Sequence, residues 1–292
     1  MKRLVIGGVL CLSTSSLMAG AANGSPVTAS AVLGYTSGTL PSGYTTYNNA
    51  NAALGPIQSD TSGGYGPDPF LPAWDSSQLV MVGAGGYLTL QLAQPIAGNA
   101  MLGVFTNVAI TNISTAVGAQ PQASDPANTL SAFPEAIVSV GNGSKDAKGN
   151  YNLVALNGGN PITFENPTNY YTNSPVSVQY SASGGYYYLQ SSPGTQTADW
   201  SKPFLGDLAS FNGEDYSQMV TTLDGSAGGT WLDLSSMGLS QVAVVEFSVP
   251  NGATYNMTLD AVATPDPSAL MLLSLGVLGV IGVMPRRSRF NL

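Results

Sequence analysis

Short apolar runs cut by glycine, proline, asparagine and aspartate fill the chain from about residue 23 to residue 263. No long stretch with a helical apolar period interrupts them before Thr264. Runs of this length with turn residues between them cannot build helix layers, so they predict strands. Leu88, Leu90 and Leu92 alternate with Thr89 and Gln91, the pattern of a strand with one buried face. Further strands are expected at Gln78 to Val82, Met101 to Phe105, Glu135 to Val140, Tyr151 to Leu156, Trp231 to Leu234, Gln241 to Val249 and Tyr255 to Val262. The run Val242 to Phe247 is dense enough for the centre of a sheet. Gly83 to Gly86 and Asn142-Gly143 supply turns, and Asn251-Gly252 predicts a terminal hairpin. Pro203 to Ser210 suits a short helix. The fold class is therefore all-β, and an antiparallel β-sandwich or jelly roll fits one domain of this size. A solenoid would need a repeat of fixed period, and none is visible.

Charge narrows the functions open to such a body. Residues 22 to 263 hold three lysines (Lys145, Lys148 and Lys202) against fifteen carboxylates, a net of −12, with no Arg. Nucleic acid and anionic membrane surfaces call for the opposite sign. The chain has no His, and its single cysteine is Cys11. That removes Ser-His-Asp and Cys-His machinery and zinc sites built on His or Cys. Paired carboxylates are the remaining catalytic route, as in a glycosidase. Glu214 and Asp215 are adjacent, so in a strand they would face opposite sides; Glu135, Glu165 and Glu246 belong to no motif. A non-enzymatic body is the expectation.

The two ends read as addresses. Lys2 and Arg3 precede an apolar stretch from Leu4 to Leu12 and the small residues Ala19 to Ala22, the order of a secretory signal peptide over residues 1–22. At the other end, residues 264–292 begin Thr264-Pro265-Asp266-Pro267-Ser268 and continue as an uncharged apolar run to Met284. The basic tail Arg286, Arg287, Arg289 follows. Ser268 to Met284 is at the low end of the roughly 17–25 residues that span a bilayer as a helix. The arginines would stay cytoplasmic and the body, residues 23–263, would lie outside.

This ordered Pro motif, apolar span and basic tail resembles the PEP-CTERM sorting signal of Gram-negative bacteria, with Asp266 standing where the family has Glu. The resemblance covers only the last residues of the chain. It implies the export machinery and an exosortase-like membrane protease as partners. It also implies cleavage near the Pro motif and delivery to the cell surface or exopolysaccharide matrix. In the body, several segments follow in order: Asn51 to Gly55, Gly83 to Leu90, Pro95-Ile96, Gly103 to Phe105, Ala136 to Val140 and Leu259 to Val262. Together they resemble the secreted jelly-roll-like modules that precede such tails, a fold similar to galactose-binding-like sandwiches. A shared fold leaves the ligand open.

Two binding chemistries remain. A structural Ca²⁺ takes oxygen ligands, and Asp60, Asp68 and Asp260 are its candidates; Asp60 and Asp68 equally suit turns through side-chain to backbone bonds. Carbohydrate needs an exposed aromatic platform, for which Trp74, Tyr186 and Tyr187 are candidates. Trp231, ahead of alternating Leu232, Asp233 and Leu234, reads as core. The chain is thus expected to be a structural or adhesive surface component associated with exopolysaccharide. A calcium-dependent carbohydrate-binding module is the alternative.

Overall fold

The computed structural model describes residues 26–59, 72–111, 122–124, 133–170, 178–181, 186–189, 197–214 and 216–266. The described residues are mostly strand and loop, and the strands pair antiparallel. In chain order they are β1 (Ala29–Thr36), β2 (Val80–Val82), β3 (Tyr87–Ala97), β4 (Met101–Phe105), β5 (Ala109–Thr111), β6 (Gln122–Ser124), β7 (Glu135–Gly141) and β8 (Val154–Ala155). After them come β9 (Ile162–Thr163), β10 (Val178–Ser181), β11 (Tyr186–Leu189), β12 (Thr230–Asp233), β13 (Gln241–Ser248), β14 (Met257–Leu259) and β15 (Ala261–Ala263). One α-helix, α1, spans Tyr216–Leu223. The all-β expectation holds for these residues.

The largest sheet runs β1-β3-β13-β7-β8, with β9 also on β7. A second set comprises β12-β4-β15 and the pair β14-β2. Side chains from both sets share one core: Leu88, Leu90 and Leu92 of β3 and Val245 and Phe247 of β13 with Leu102 and Val104 of β4, and Val80 and Val82 of β2. Alternation explains which residues go in. On β3 the leucines are buried while Tyr87 and Gln91 are exposed. On β7, Ala136, Val138 and Val140 are fully buried between half-buried Glu135, Ile137 and Ser139. β13 is the central strand, flanked by β3 and β7, in keeping with its dense apolar run. A register shift between Val242 and Val244 buries both Val244 and Val245.

The expected terminal hairpin at Asn251-Gly252 does not form. β13 already bonds β3 on one edge and β7 on the other, so it has no edge to offer. The chain therefore crosses to the second set, where β14 pairs β2 and β15 pairs β4. The Gly83 to Gly86 turn does the same in reverse, carrying the chain from β2 to β3 between sets. β7 and β8 do form a hairpin, but pairing continues past Asn142 through a Lys145–Tyr151 bridge. The turn that closes it is at Asp146–Asn150, where the Asp146 N–H donates to the Asn150 carbonyl at 2.8 Å. The Asn142 carboxamide oxygen only caps a local bend, accepting the Ser144 N–H at 2.9 Å. The short helix expected at Pro203 to Ser210 is instead a single turn at Leu208–Phe211. α1 follows, burying Met219 and Leu223 against Ile110, Phe204 and Phe211.

The first and last described segments close on each other. The Val27 N–H donates to the Thr264 hydroxyl at 3.0 Å, and the Thr264 N–H donates to the Val27 carbonyl at 3.1 Å. Thr28 bridges Ala263 beside them.

Candidate functional site

Of the three calcium candidates, Asp260 is the one that the described residues contain, and it sits where the chain crosses between strand partners. Met257 and Leu259 point into the shared core, and after Asp260 the next residue to do so is Val262. The phase of alternation thus slips by one residue at Asp260, where pairing passes from β2 to β4. Residues 256–265 are all buried, so this segment is covered on both sides, and Asp260 is fully buried on the same side as the equally buried Thr258. Its backbone N–H donates to the Phe105 carbonyl at 3.0 Å. Its carboxylate accepts the Gln58 N–H, at 3.0 Å to Oδ2 and 3.3 Å to Oδ1. Burial pushes this carboxyl well above the usual carboxylate range, and the Gln58 bond offsets that only in part.

Gln58 is itself held. Ile57 packs with Phe105, Ala261 and Ala263, and Gln58 Nε2 donates to the Ala52 carbonyl at 3.3 Å. Two residues before Asp260, the buried Thr258 hydroxyl donates to Asn107 Oδ1 at 2.6 Å. Asn107 Nδ2 is buried with no hydrogen-bond partner among the described residues. The crossing point therefore holds buried polar groups with spare capacity, where an all-apolar core would have none.

A lone carboxyl with one N–H donor is either protonated or balanced by a cation. Asp60 and Asp68 lie outside the described residues. Among the described residues no group of three or more Asp, Glu, Cys or His side chains converges as a metal site. Ca²⁺ at Asp260 would therefore draw on carbonyl and amide oxygens besides this carboxylate.

The aromatic candidates separate. Trp74 is half-buried; its carbonyl accepts the Tyr47 hydroxyl at 2.9 Å, and its N–H donates to Gln78 Oε1 at 3.3 Å. Tyr186 and Tyr187 belong to β11, opposite Ser181 and Tyr180 of β10, and their side chains lie outside the described residues. Trp231 packs as core: its ring covers Gly103 on β4, meets Phe105 edge-on at 6.0 Å between centroids, and its indole N–H donates to the Gly228 carbonyl at 2.9 Å.

Two of the carboxylates weighed for catalysis are each held by a threonine hydroxyl. Glu214 Oε1 accepts the Thr222 hydroxyl at 2.6 Å, Glu246 Oε2 accepts the Thr89 hydroxyl at 2.7 Å, and Asp215 is outside the described residues. Of the sorting motif, Thr264 and Pro265 are buried in the body, and the Asp266 N–H donates to the Ser201 carbonyl at 3.4 Å. Pro267, Ser268, the span to Met284 and Arg286, Arg287 and Arg289 lie outside the described residues. No helix among the described residues is long and apolar enough to cross a membrane. No known protein family, curated protein or solved structure matches this chain.

Proposed function

We propose that this chain is an exported, non-enzymatic β-sandwich protein of the cell surface or extracellular matrix. Its C-terminal PEP-CTERM-like signal sorts it there, and it serves as a structural or adhesive component associated with exopolysaccharide. The observation that carries the reading is the pair of address-like ends on one acidic body whose first and last segments close on each other through Val27 and Thr264. A body closed in this way keeps its fold when chain before Val27 or beyond Asp266 is cut away, which is what processing of a surface protein demands. The jelly-roll likeness remains part of this proposal.

The test is fractionation of cells producing the full chain in a Gram-negative host with and without its exosortase. The reading predicts body in the outer envelope or medium in the first host, and full-length protein in the inner membrane in the second. Identical length and location in both hosts would contradict it.

The second reading is a calcium-dependent carbohydrate-binding module, favoured by the buried Asp260 carboxylate with its single N–H donor. Polysaccharide binding that is lost on chelation would select it.

A further inference from the structure

The outward side of the large sheet is built unlike its core side. Register places Thr36, Tyr87, Ser248 and Ile137 in one row across β1, β3, β13 and β7. The next row is Gly34, Thr89, Glu246 and Ser139. Tyr87 is 40% exposed, one of few large apolar side chains so open among the described residues. A Cβ built on Gly34 would lie 3.1 Å from Tyr87 Cε2 and 3.7 Å from Thr89 Oγ1. The Tyr87 ring therefore leans over a position that a side chain would otherwise occupy, and glycine there lets it lie low against the sheet. Its hydroxyl has no hydrogen-bond partner among the described residues.

Glu246 sits diagonally from Tyr87 on the neighbouring strand, about 7–8 Å away by sheet geometry. The Thr89 hydroxyl holds Oε2 at 2.7 Å, while Oε1 has no hydrogen-bond partner among the described residues. A fixed carboxylate oxygen with open lone pairs accepts hydroxyl protons well. Gln91 adds an exposed carboxamide one row further along β3. The strands of this sheet carry Glu135 and Glu246 and no Lys or Arg. That repels polyanions. Besides Ile137 the ring's neighbours in these rows are Thr, Ser and Glu, and a charged group at the centre is depleted from the core of protein interfaces.

We propose that this face, centred on Tyr87 and Glu246, binds a neutral polysaccharide chain. The Tyr87 ring stacks on one sugar face, and Glu246 Oε1 accepts hydroxyl protons from the same or the next residue. Gly34 is a positioning residue that sets the tilt of the ring. The inference deepens the proposed association with exopolysaccharide and rests on it for the ligand class, but not on the sorting signal.

The test is affinity electrophoresis of the full chain in mild detergent through gels holding dextran, a soluble β-glucan or a polyuronate. The expected result is retardation by a neutral polymer and none by the polyuronate. Tyr87→Ala should weaken that binding about tenfold. Glu246→Gln should weaken it less, and Gly34→Val should weaken it by lifting the ring, all with unchanged Tm. Retardation that survives Tyr87→Ala and Glu246→Gln would overturn this face while leaving the polysaccharide association standing. No retardation by any neutral polymer would overturn both, whatever the cell fractionation shows. Light scattering in the same buffers covers the other occupant. A dimer that Tyr87→Ala converts to monomer would make the face a self-interface and overturn the glycan assignment.

Discussion

Asp260 concentrates the energetic tension of this fold in one side chain. Its carboxyl is fully buried, and burial holds its proton more tightly in the folded chain than the ordinary value of 3.8 allows. Below that value both the folded and unfolded chains carry the proton, and the contribution to stability is fully present. As pH rises past it the unfolded chain releases the proton first, so stability falls until the folded carboxyl ionises as well. The expected outcome is a Tm that declines from about pH 4 upward in wild type and loses that component of the decline in Asp260→Asn, measured by thermal unfolding across pH. Asparagine keeps an acceptor for the Gln58 N–H, so its fold should persist. If a rise in Tm with added Ca²⁺ at neutral pH is seen in wild type and is absent in Asp260→Asn, the calcium reading gains its ligand. Gly103 is the opposite case, a position defined by what must be missing. An added Cβ would come within 2.9 Å of the Trp231 ring, so Gly103→Val should cost about 1–3 kcal/mol in denaturant unfolding. Asp260 could be picked from the sequence as an acid in a strand, but its burial could not. That burial comes from cover on both sides of the segment, with the distant Ile57–Gln58 stretch lying over the side that Asp260 shares with Thr258, which no local pattern reveals.

At the scale of elements, strands with clean alternation or dense apolar runs were legible: β3, β4, β7, β12 and β13 lie where the residue pattern puts them. β1 was not, because two register shifts break its alternation and most of its residues are only half-buried. α1 was not, because eight residues give barely two turns in which a helical period could appear. The failed hairpin after β13 has a different cause. A local turn signal names the bend but not the partner, and the partner was decided by edges already filled. The closing element is equally non-local, with Val27 and Thr264 separated by 237 positions in the chain. Thr264→Val keeps the shape of the side chain but leaves the Val27 N–H without its acceptor. The expected loss is about 1–3 kcal/mol by denaturant unfolding. A stop after Ala263 should destabilise further, while a stop after Asp266 should leave Tm unchanged.

For the whole molecule, the acidic body and the two address-like ends form one account. The candidate carbohydrate platform shows what the sequence could and could not deliver. Trp74, Tyr186 and Tyr187 are the conspicuous aromatics, whereas Tyr87 looks like an ordinary strand residue until register sets it over Gly34 and diagonal to Glu246. The burial of Thr264 and Pro265 bears on processing too. A protease needs extended, accessible chain, and the buried, hydrogen-bonded residues through Pro265 do not offer it. If the tail is processed as proposed, the cut lies beyond Asp266, within the Pro motif or just after it. Mass spectrometry of the C-terminal peptide, from protein made in exosortase-bearing cells, tests the central claim most directly. The predicted result is a mature end that retains Thr264 to Asp266 and lacks Arg286, Arg287 and Arg289; an intact end at Leu292 would contradict the sorting of this protein.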